Sequence, residues 1–508
     1  MVLIKSISGV RGTVDPLYWG PEIDNVGRSG PAVRFCIWQF MKCINMEFPN
    51  RKDFKDGNSI VIGRDGRSTG KAICDYIANL LSKHCDINVI DLGLTTTPSV
   101  QLAIQQYKCL GGIMVSASHN PVNWNGLKLL NLKGEFLSPE ESSKVFSQTH
   151  DDGALFPDPT LSKIASSLWN DVKIRAGTIN TRIHQCDFLK SHINSILDLD
   201  YVHVDKIKKQ KLVVIVDGIN SSGAVYVPAL LESLGVTVEL VLNDRPNGHF
   251  AHNPEPTPEN LIELSNVVKE RGAHLGIAID PDVDRLVLVC EDGSFFGEEY
   301  TIVAVVKYIL SKLSPRIKSS VVTNVSTTQA VQDVAKEFGA DFYESAVGEI
   351  NVVNLMKSTD SIIGGEGSGG VIFSPSHYGR DALVGIALFL SYLSDLRDAG
   401  MLASVSEMKS TLPSYYMYKE KVVIPKIQNF EEKWNHFKKD LVDELNDDMQ
   451  FYNQIDGIKC YFSDGWVHIR KSNTEPVVRL IIETNSQNQT SHYKNKFVEL
   501  INSYFPSS

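Results

Sequence analysis

The sequence predicts an α/β protein of several domains, closed by a smaller α+β unit at its C-terminal end. Three observations carry this. Short runs rich in Val, Ile and Leu alternate with helix-length segments from residue 59 to about 343. Such alternation places largely parallel strands beneath covering helices. The last hundred residues change character, with one amphipathic helix followed by closely spaced strand-like runs. A length of 508 residues suggests roughly three or four domains.

Taken in order, 59–63 (SIVIG) reads as a strand and 70–84 as a helix. Residues 87–92 are a strand, 98–107 a helix and 110–116 (LGGIMVS) a strand. The segment 137–185 is mixed and carries the passage to a second domain. The alternation resumes with a strand at 212–217, a helix at 223–234 and a strand at 237–242. A helix at 258–272 precedes strands at 274–279 and 286–290. Next come a helix at 298–312, a strand at 319–323, a helix at 327–338 and a strand at 340–343. A boundary falls near 412–416 (LPSYY). Beyond it, 429–446 reads as an amphipathic helix. Strands at 458–462, 465–469 and 477–483 and a helix at 491–503 complete an α+β module with an antiparallel sheet.

Composition excludes several classes of function. Fifty basic against sixty acidic side chains give a net charge of −10, so no phosphate-backbone footprint for nucleic acid is expected. With 43% hydrophobic and 22% charged residues, the chain is an ordinary globular one. No apolar run approaches the length of a membrane span, and the N-terminus lacks the apolar core of a signal peptide. Eight cysteines are scattered with no CxxC pair, as expected of reduced thiols in the cytoplasm.

Four segments could carry chemistry. VSASHNPVNWNGLK (115–128) follows an apolar strand, where α/β proteins place working residues. Ser118 there could accept a phosphoryl group. His119 is its neighbour, though adjacent side chains on an extended chain point apart. Asn125 and Gly126 read as a turn presenting Lys128. The alternative is a polar turn between strands. IDPDVDR (279–285) spaces Asp280, Asp282 and Asp284 two apart between apolar strands. Three carboxylates on one side need a cation among them, and an all-oxygen set suits Mg²⁺. Arg285 adds a fork for phosphate. The same stretch partly matches the DxDx[TV] motif of aspartyl-nucleophile phosphatases, with Asp280 as nucleophile, but Asp284 stands where Thr or Val belongs.

GGEGSGGVIFSPSHYGRD (364–381) contains a GxGxxG match, but a strand-like VIFSP follows where a dinucleotide site needs a helix. A flexible loop presenting Glu366 and Ser368 to sugar hydroxyls is the better reading. RKSNTEPVVR (470–479) gathers Arg470, Ser472, Asn473, Thr474 and Arg479 around a turn, a donor set suited to a phosphate dianion. Arg11 (SGVRG) and the pair Arg64 and Arg67 (GRDGRSTG) add cations; the latter segment lacks Walker-loop spacing.

In this order the segments resemble the α-D-phosphohexomutase family, from Ser8 to Arg479. The resemblance implies four domains around a central cleft, three similar α/β units and a smaller α+β unit. They divide as 1–170 with the serine loop, 171–297 with the metal loop, 298–412 with the sugar loop and 413–508 with the phosphate loop. It implies that Ser118 carries the phosphoryl group and holds one Mg²⁺ together with Asp280, Asp282 and Asp284. Arg11, Lys128 and His119 would stand near the transferring phosphate. Arg285, Glu366 and Ser368 would contact substrate, and Arg470, Ser472, Asn473, Thr474 and Arg479 would grip its own phosphate.

Two departures stand out. Gly370 replaces the His of the GExSGH pattern, with His377 as a stand-in, and SAVGE (345–349) lacks the Lys often found beside VG. The chain also carries extra residues around 15–55 and 140–185. The implied reaction interconverts a hexose or hexosamine 1-phosphate and 6-phosphate through a phosphoserine and a sugar 1,6-bisphosphate, which also serves as activator. The partner is a small phosphosugar, with neither nucleic acid nor membrane involved. The acid–base group would be His119, His377 or a Lys of lowered pKa. The missing His leans toward a phosphoglucosamine mutase, with a phosphogluco/phosphomannomutase as the alternative and a Mg²⁺-dependent phosphatase a more distant one.

Overall fold

The computed structural model describes residues 3–6, 9–13, 59–84, 87–146, 182–314, 319–424, 429–445, 448–472 and 477–505. The extra residues expected around 15–55, and most of those at 140–185, lie outside this set.

Four sheets organise the described chain. The first holds β1 (Leu3–Ser6), β2 (Gly9–Thr13), β3 (Ser59–Arg64), β4 (Asn88–Leu94), β5 (Gly111–Val115), β6 (Trp124–Leu130) and β7 (Ile183–Gln185). Its order is β1-β2-β6-β5-β3-β4-β7. The β5-β3-β4-β7 half is parallel and the β1-β2-β6-β5 half antiparallel, so the expected parallel sheet makes up only one side. Strand β7 lies beyond the expected boundary at residue 170 yet pairs with β4 in this first sheet.

The second sheet holds β8 (Val213–Asp217), β9 (Thr237–Leu242), β10 (Leu275–Ile279) and β11 (Leu286–Cys290). The third holds β12 (Ser320–Asn324), β13 (Asp341–Ser345), β14 (Ile363–Glu366) and β15 (Gly370–Phe373). Both repeat one plan, three parallel strands with an antiparallel strand added by a hairpin at one edge. The fourth sheet, β16 (Tyr416–Val423), β17 (Phe451–Asn453), β18 (Ile458–Phe462), β19 (Gly465–Lys471) and β20 (Val477–Thr484), is antiparallel throughout.

Helices cover these sheets because their apolar stripes need burial. The helix Thr97–Gln106 starts where the Thr96 hydroxyl accepts the Ser99 N–H, with Pro98 in its first turn. The helix Ala382–Asp398 starts where Asp381 accepts the N–H groups of Leu383 and Val384. One continuous apolar core runs from Ile193 to Leu412, so the second and third units share it. The fourth unit keeps its own core, around Trp434, Phe437, Phe497 and Phe505.

The plan brings four hairpins into play. The connections β5–β6, β10–β11, β14–β15 and β19–β20 hold residues 116–123, 280–285, 367–369 and 472–476. These are the four segments singled out above. Two readings change. Asn125 and Gly126 lie inside β6 rather than in a turn, because Gly126 packs against backbone: a Cβ there would stand 2.7 Å from the Val10 carbonyl oxygen. The glycine-rich segment is a buried β-hairpin rather than a flexible loop, with Glu366 paired opposite Gly370.

Candidate active site

Ser118 leaves the end of β5 with φ = 49°, in the left-handed region that favours glycine. The backbone is held there. The Ser118 N–H donates to the Ser116 hydroxyl at 2.8 Å, and Ser116 donates to Asp65 at 2.7 Å. Arg67, fully buried, donates to the carbonyls of Ser118 (2.7 Å), Asn120 (2.6 Å), Pro121 (2.7 Å) and Trp124 (2.8 Å). Thus Arg67 staples the loop from inside instead of offering a surface cation. The left-handed turn also cancels the expected divergence of neighbours, since Ser118 Oγ and His119 Nδ1 lie 3.3 Å apart.

The aspartate loop turns at Val283, with φ = 63°. Ligand atoms of Asp280, Asp282 and Asp284 lie within 4.8 Å of one another, all buried. Asp280 Oδ1 accepts the N–H groups of Asp284 (3.1 Å) and Arg285 (3.2 Å), and its Oδ2 accepts the Ser118 hydroxyl at 2.7 Å. Asp282 Oδ2 is taken by Thr97 and Lys128. Asp284 Oδ2 accepts from Lys128 at 2.9 Å and Arg380 at 2.8 Å. The other oxygens of Asp282 and Asp284 are buried without a hydrogen-bond partner.

The buried cluster of three carboxylates thus holds two orphaned oxygens, on Asp282 and Asp284, beside the Asp280 oxygen that accepts the Ser118 hydroxyl. Buried oxygens left this way are costly unless something meets them. An all-oxygen, carboxylate-rich set fits a hard divalent cation such as Mg²⁺.

The electrostatics follow from burial and these partners. Desolvation, then Asp284 and Asp282, pushes the Asp280 carboxyl well above its ordinary range. Burial pushes Asp284 the same way, but Arg380, Lys128 and Arg285 outweigh it and hold that carboxyl low. Burial would strip Lys128 of its proton, yet Asp282 and Asp284 raise its pKa, so the amine stays charged. Burial, with Arg285 and Arg11 nearby, holds His119 well below the usual imidazole value.

A cleft of about 640 Å³, open mouth included, joins these groups. Arg11, Ser118, His119, Lys128 and Arg285 line one side. Val347, Gly348, Glu349, Glu366 and Arg380 line the other. Glu366 is held from three directions: Oε1 accepts from Asn324 (2.8 Å) and the Gly348 N–H (3.1 Å), and Oε2 from Arg380 (2.7 Å). A cleft rich in cations and lined by fixed polar groups suits a small phosphorylated ligand.

The chain matches four family descriptions in succession. They are phosphoglucomutase/phosphomannomutase alpha/beta/alpha domains I (35–155), II (190–293) and III (297–415), and the phosphoglucomutase/phosphomannomutase C-terminal domain (427–500). The chain belongs to the phosphoglucomutase/phosphomannomutase family. A phosphoglucomutase/phosphomannomutase of Thermococcus kodakarensis is 32% identical over 475 residues, 91% of this chain and 94% of its own. A phosphoglucosamine/phosphogalactosamine mutase of Sulfurisphaera tokodaii is 27% identical over 450 residues, 88% of this chain and 92% of its own. A crystal structure of a family protein from Burkholderia thailandensis superposes with a TM-score of 0.75 at 22% identity, covering 99% of both chains. That likeness shows the shared fold.

In this phosphohexomutase the structure gathers most, not all, of the residues the sequence singled out. Arg11, Ser118, His119, Lys128, Arg285 and Glu366 line one cleft, with the three aspartates beside Ser118. Ser368 sits half-buried at the tip of the β14–β15 hairpin. Arg470 and Arg479 face each other across β19 and β20, and the Ser472 N–H donates to the Val477 carbonyl at 2.9 Å. Asn473 and Thr474 lie outside the described residues.

His377 does not line the cleft. It is buried against Asp381, 3.2 Å from Nε2, in a cluster that also holds His192. Nor does position 370 have room for a side chain: a Cβ at Gly370 would stand 2.3 Å from Arg380 Cδ, so Arg380 already fills that space. Arg380 and Glu349 are the residues sequence reasoning missed. The signal was GRD at the end of the glycine-rich segment, a charged pair next to apolar helix.

Proposed function

We propose that the protein interconverts hexosamine 1-phosphate and 6-phosphate, glucosamine phosphate first among them, through a phosphoserine at Ser118. The observation that carries this is the Ser118 hydroxyl, 2.7 Å from Asp280 in a strained loop at the centre of the cleft. The isomerase class follows from the family. Several relatives named as phosphoglucosamine mutases favour the hexosamine. A gluco/mannose reading is favoured by the 32% identical relative.

In the first half-reaction the P–Oγ bond of phosphorylated Ser118 breaks as a free sugar hydroxyl bonds to phosphorus. The hydroxyl proton leaves to a base, and the serine oxygen is reprotonated once the new ester has formed. His119 is suited to both proton transfers, being held neutral 3.3 Å from Ser118 Oγ. Lys128 does not fit the expectation of a lysine of lowered pKa, since its carboxylate partners keep it charged. Its charge, with those of Arg11 and Arg285, faces the transferring phosphate. Asp280, Asp282 and Asp284 would hold one Mg²⁺, which when bound neutralises charge on the phosphoryl oxygens. The resulting bisphosphate turns end for end, and its second phosphate returns to Ser118.

Arg470 and Arg479 stand in register on neighbouring strands. Together they place two guanidinium groups on one face at the base of this hairpin, a donor set suited to a phosphate dianion. This supports the β19–β20 hairpin as the grip on the phosphate that is not being transferred. A phosphatase reading with Asp280 as nucleophile is disfavoured, because both of its oxygens are engaged and Ser118 covers it from the cleft.

The test offers glucosamine, glucose and mannose 6-phosphates with Mg²⁺ and a trace of sugar 1,6-bisphosphate. Phosphorus NMR follows the 1-phosphate for wild type and Ser118→Ala. A 1-phosphate that vanishes in the variant supports the proposal and ranks the sugars. Release of free phosphate by both proteins would overturn it.

A further inference from the structure

We propose that Arg380 is a positioning residue that locks the sugar-contacting glutamate to the phosphoryl-transfer centre, in the space that Gly370 leaves open. This rests on the mutase reading above and deepens it. The guanidinium uses all three of its nitrogens. Nη2 donates to Asp284 Oδ2 (2.8 Å), Nη1 to Glu366 Oε2 (2.7 Å) and Nε to Glu349 Oε2 (3.0 Å). Asp284 lies on the β10–β11 hairpin, Glu366 at the end of β14, and Glu349 opens the helix Glu349–Ser358. One planar, rigid fork therefore sets the spacing among three carboxylates from three elements. Lysine cannot reproduce that geometry.

Two further observations support the assignment. Arg380 passes directly over Gly370, where a Cβ would stand 2.3 Å from Arg380 Cδ. The side chain is pinned at three points, so it cannot step aside without giving up those bonds. The next residue fixes the backbone. Asp381 caps the helix Ala382–Asp398 and accepts from His192 Nε2 at 2.8 Å, while His192 Nδ1 meets Ser99 Oγ at 2.8 Å. Arg380 is thus anchored to the first and second units as well as its own. A substrate that must react in two orientations needs the sugar clamp and the transfer centre to keep a fixed separation, and Arg380 is the group that spans them.

The experiment measures binding of glucosamine 6-phosphate by calorimetry in the Ser118→Ala background, where no turnover occurs. Arg380→Met, Glu366→Gln and the pair are compared. If Arg380 acts through Glu366, each single change weakens binding about tenfold or more. The pair then loses at most about threefold beyond the worse single variant, because coupled residues are non-additive. Arg380→Lys should recover only part of the loss. Binding within twofold of the parent for Arg380→Met, fully multiplicative losses, or full recovery with lysine would each overturn the proposal. Should Arg380→Met fail to fold, Gly370→Ala carries the test. It displaces the guanidinium without removing its charge, and should weaken binding about tenfold; unchanged binding refutes the proposal. Failure of the mutase reading looks different: no phosphosugar binds the Ser118→Ala parent, and the wild type forms no 1-phosphate.

Discussion

Replacing Arg67 by Lys should damage catalysis and stability together, although Arg67 does not line the cleft. Its guanidinium makes four bonds to loop carbonyls and one ion pair with Asp65, at 3.2 Å, with both side chains buried. The ring of Phe250 covers its outer face at 4.9 Å. A lysine ammonium has three protons and cannot span four carbonyls set around a planar fork. At least two of these five acceptors then lose the arginine's protons; Asp65 Oδ2 keeps the Ser116 hydroxyl. Leaving two buried acceptors unpaired costs about 2–6 kcal/mol, at about 1–3 kcal/mol each. For a domain of this size that is roughly a 10 °C fall in melting temperature, at about 2–4 °C per kcal/mol. Ser118, released from its left-handed conformation, moves relative to Asp280. A displacement near 1 Å costs about 10²-fold in rate. Differential scanning calorimetry reads the first effect, and kcat with intact-mass measurement of phosphorylated enzyme reads the second. A variant that melts normally and keeps wild-type kcat would show that the loop holds its shape without the arginine.

Other consequences are open to test. His119→Gln should lower kcat by about 10²–10⁴-fold with little change in phosphosugar affinity; an unchanged kcat would remove His119 from proton transfer. Lys128→Met should leave Asp282 and Asp284 short of a partner, lowering kcat at least about a hundredfold; steady-state kinetics near wild type would contradict this. His468 is buried between Ser326 Oγ and the Asp456 carbonyl, and burial holds its pKa at about 3. Because the folded value lies below the unfolded one, its contribution is complete above pH 6.5 and is lost as pH falls toward 3. At pH 5 the loss is about 2 kcal/mol, so His468→Gln should lose less melting temperature than wild type between pH 8 and pH 5. Equal losses would refute it.

Much of the site was legible because its parts are contiguous in sequence. Asp280, Asp282 and Asp284 sit within five residues, and Ser118 follows an unmistakably apolar strand. Three kinds of feature were not legible. Backbone in the left-handed region at Ser118 and Val283 depends on tertiary bonds, so the meeting of Ser118 with His119 does not follow from spacing. Strand β6 contains Asn125 and Gly126, whose local preference is for a turn; packing against β2 and β5 overrides it. The helix Ala382–Asp398 is buried through its first thirteen residues, so it lacks the polar face that makes a helix visible. Arg380, just ahead of that helix, was missed with it.

The separate core of the fourth unit bears on the proposed mechanism, in which one serine would serve both ends of a sugar. Among the described residues the apolar clusters of the third and fourth units share no member. What joins them near the cleft is polar. Asp456 accepts from the Val347 N–H at 3.2 Å and lies 3.6 Å from Arg470. Lys459 donates to Glu344 at 2.7 Å, and the Gln329 N–H to Glu483 at 2.8 Å. Displacing the fourth unit against the third would trade such bonds, each worth about 0.5–1.5 kcal/mol net, without breaking either apolar cluster. By contrast the second and third units share one core, and Arg380 bonds both Asp284 and Glu366, which ties the two together. The proposed mechanism, in which a sugar bisphosphate turns end for end, asks for those two properties: a rigid transfer centre and an adjustable grip on the second phosphate.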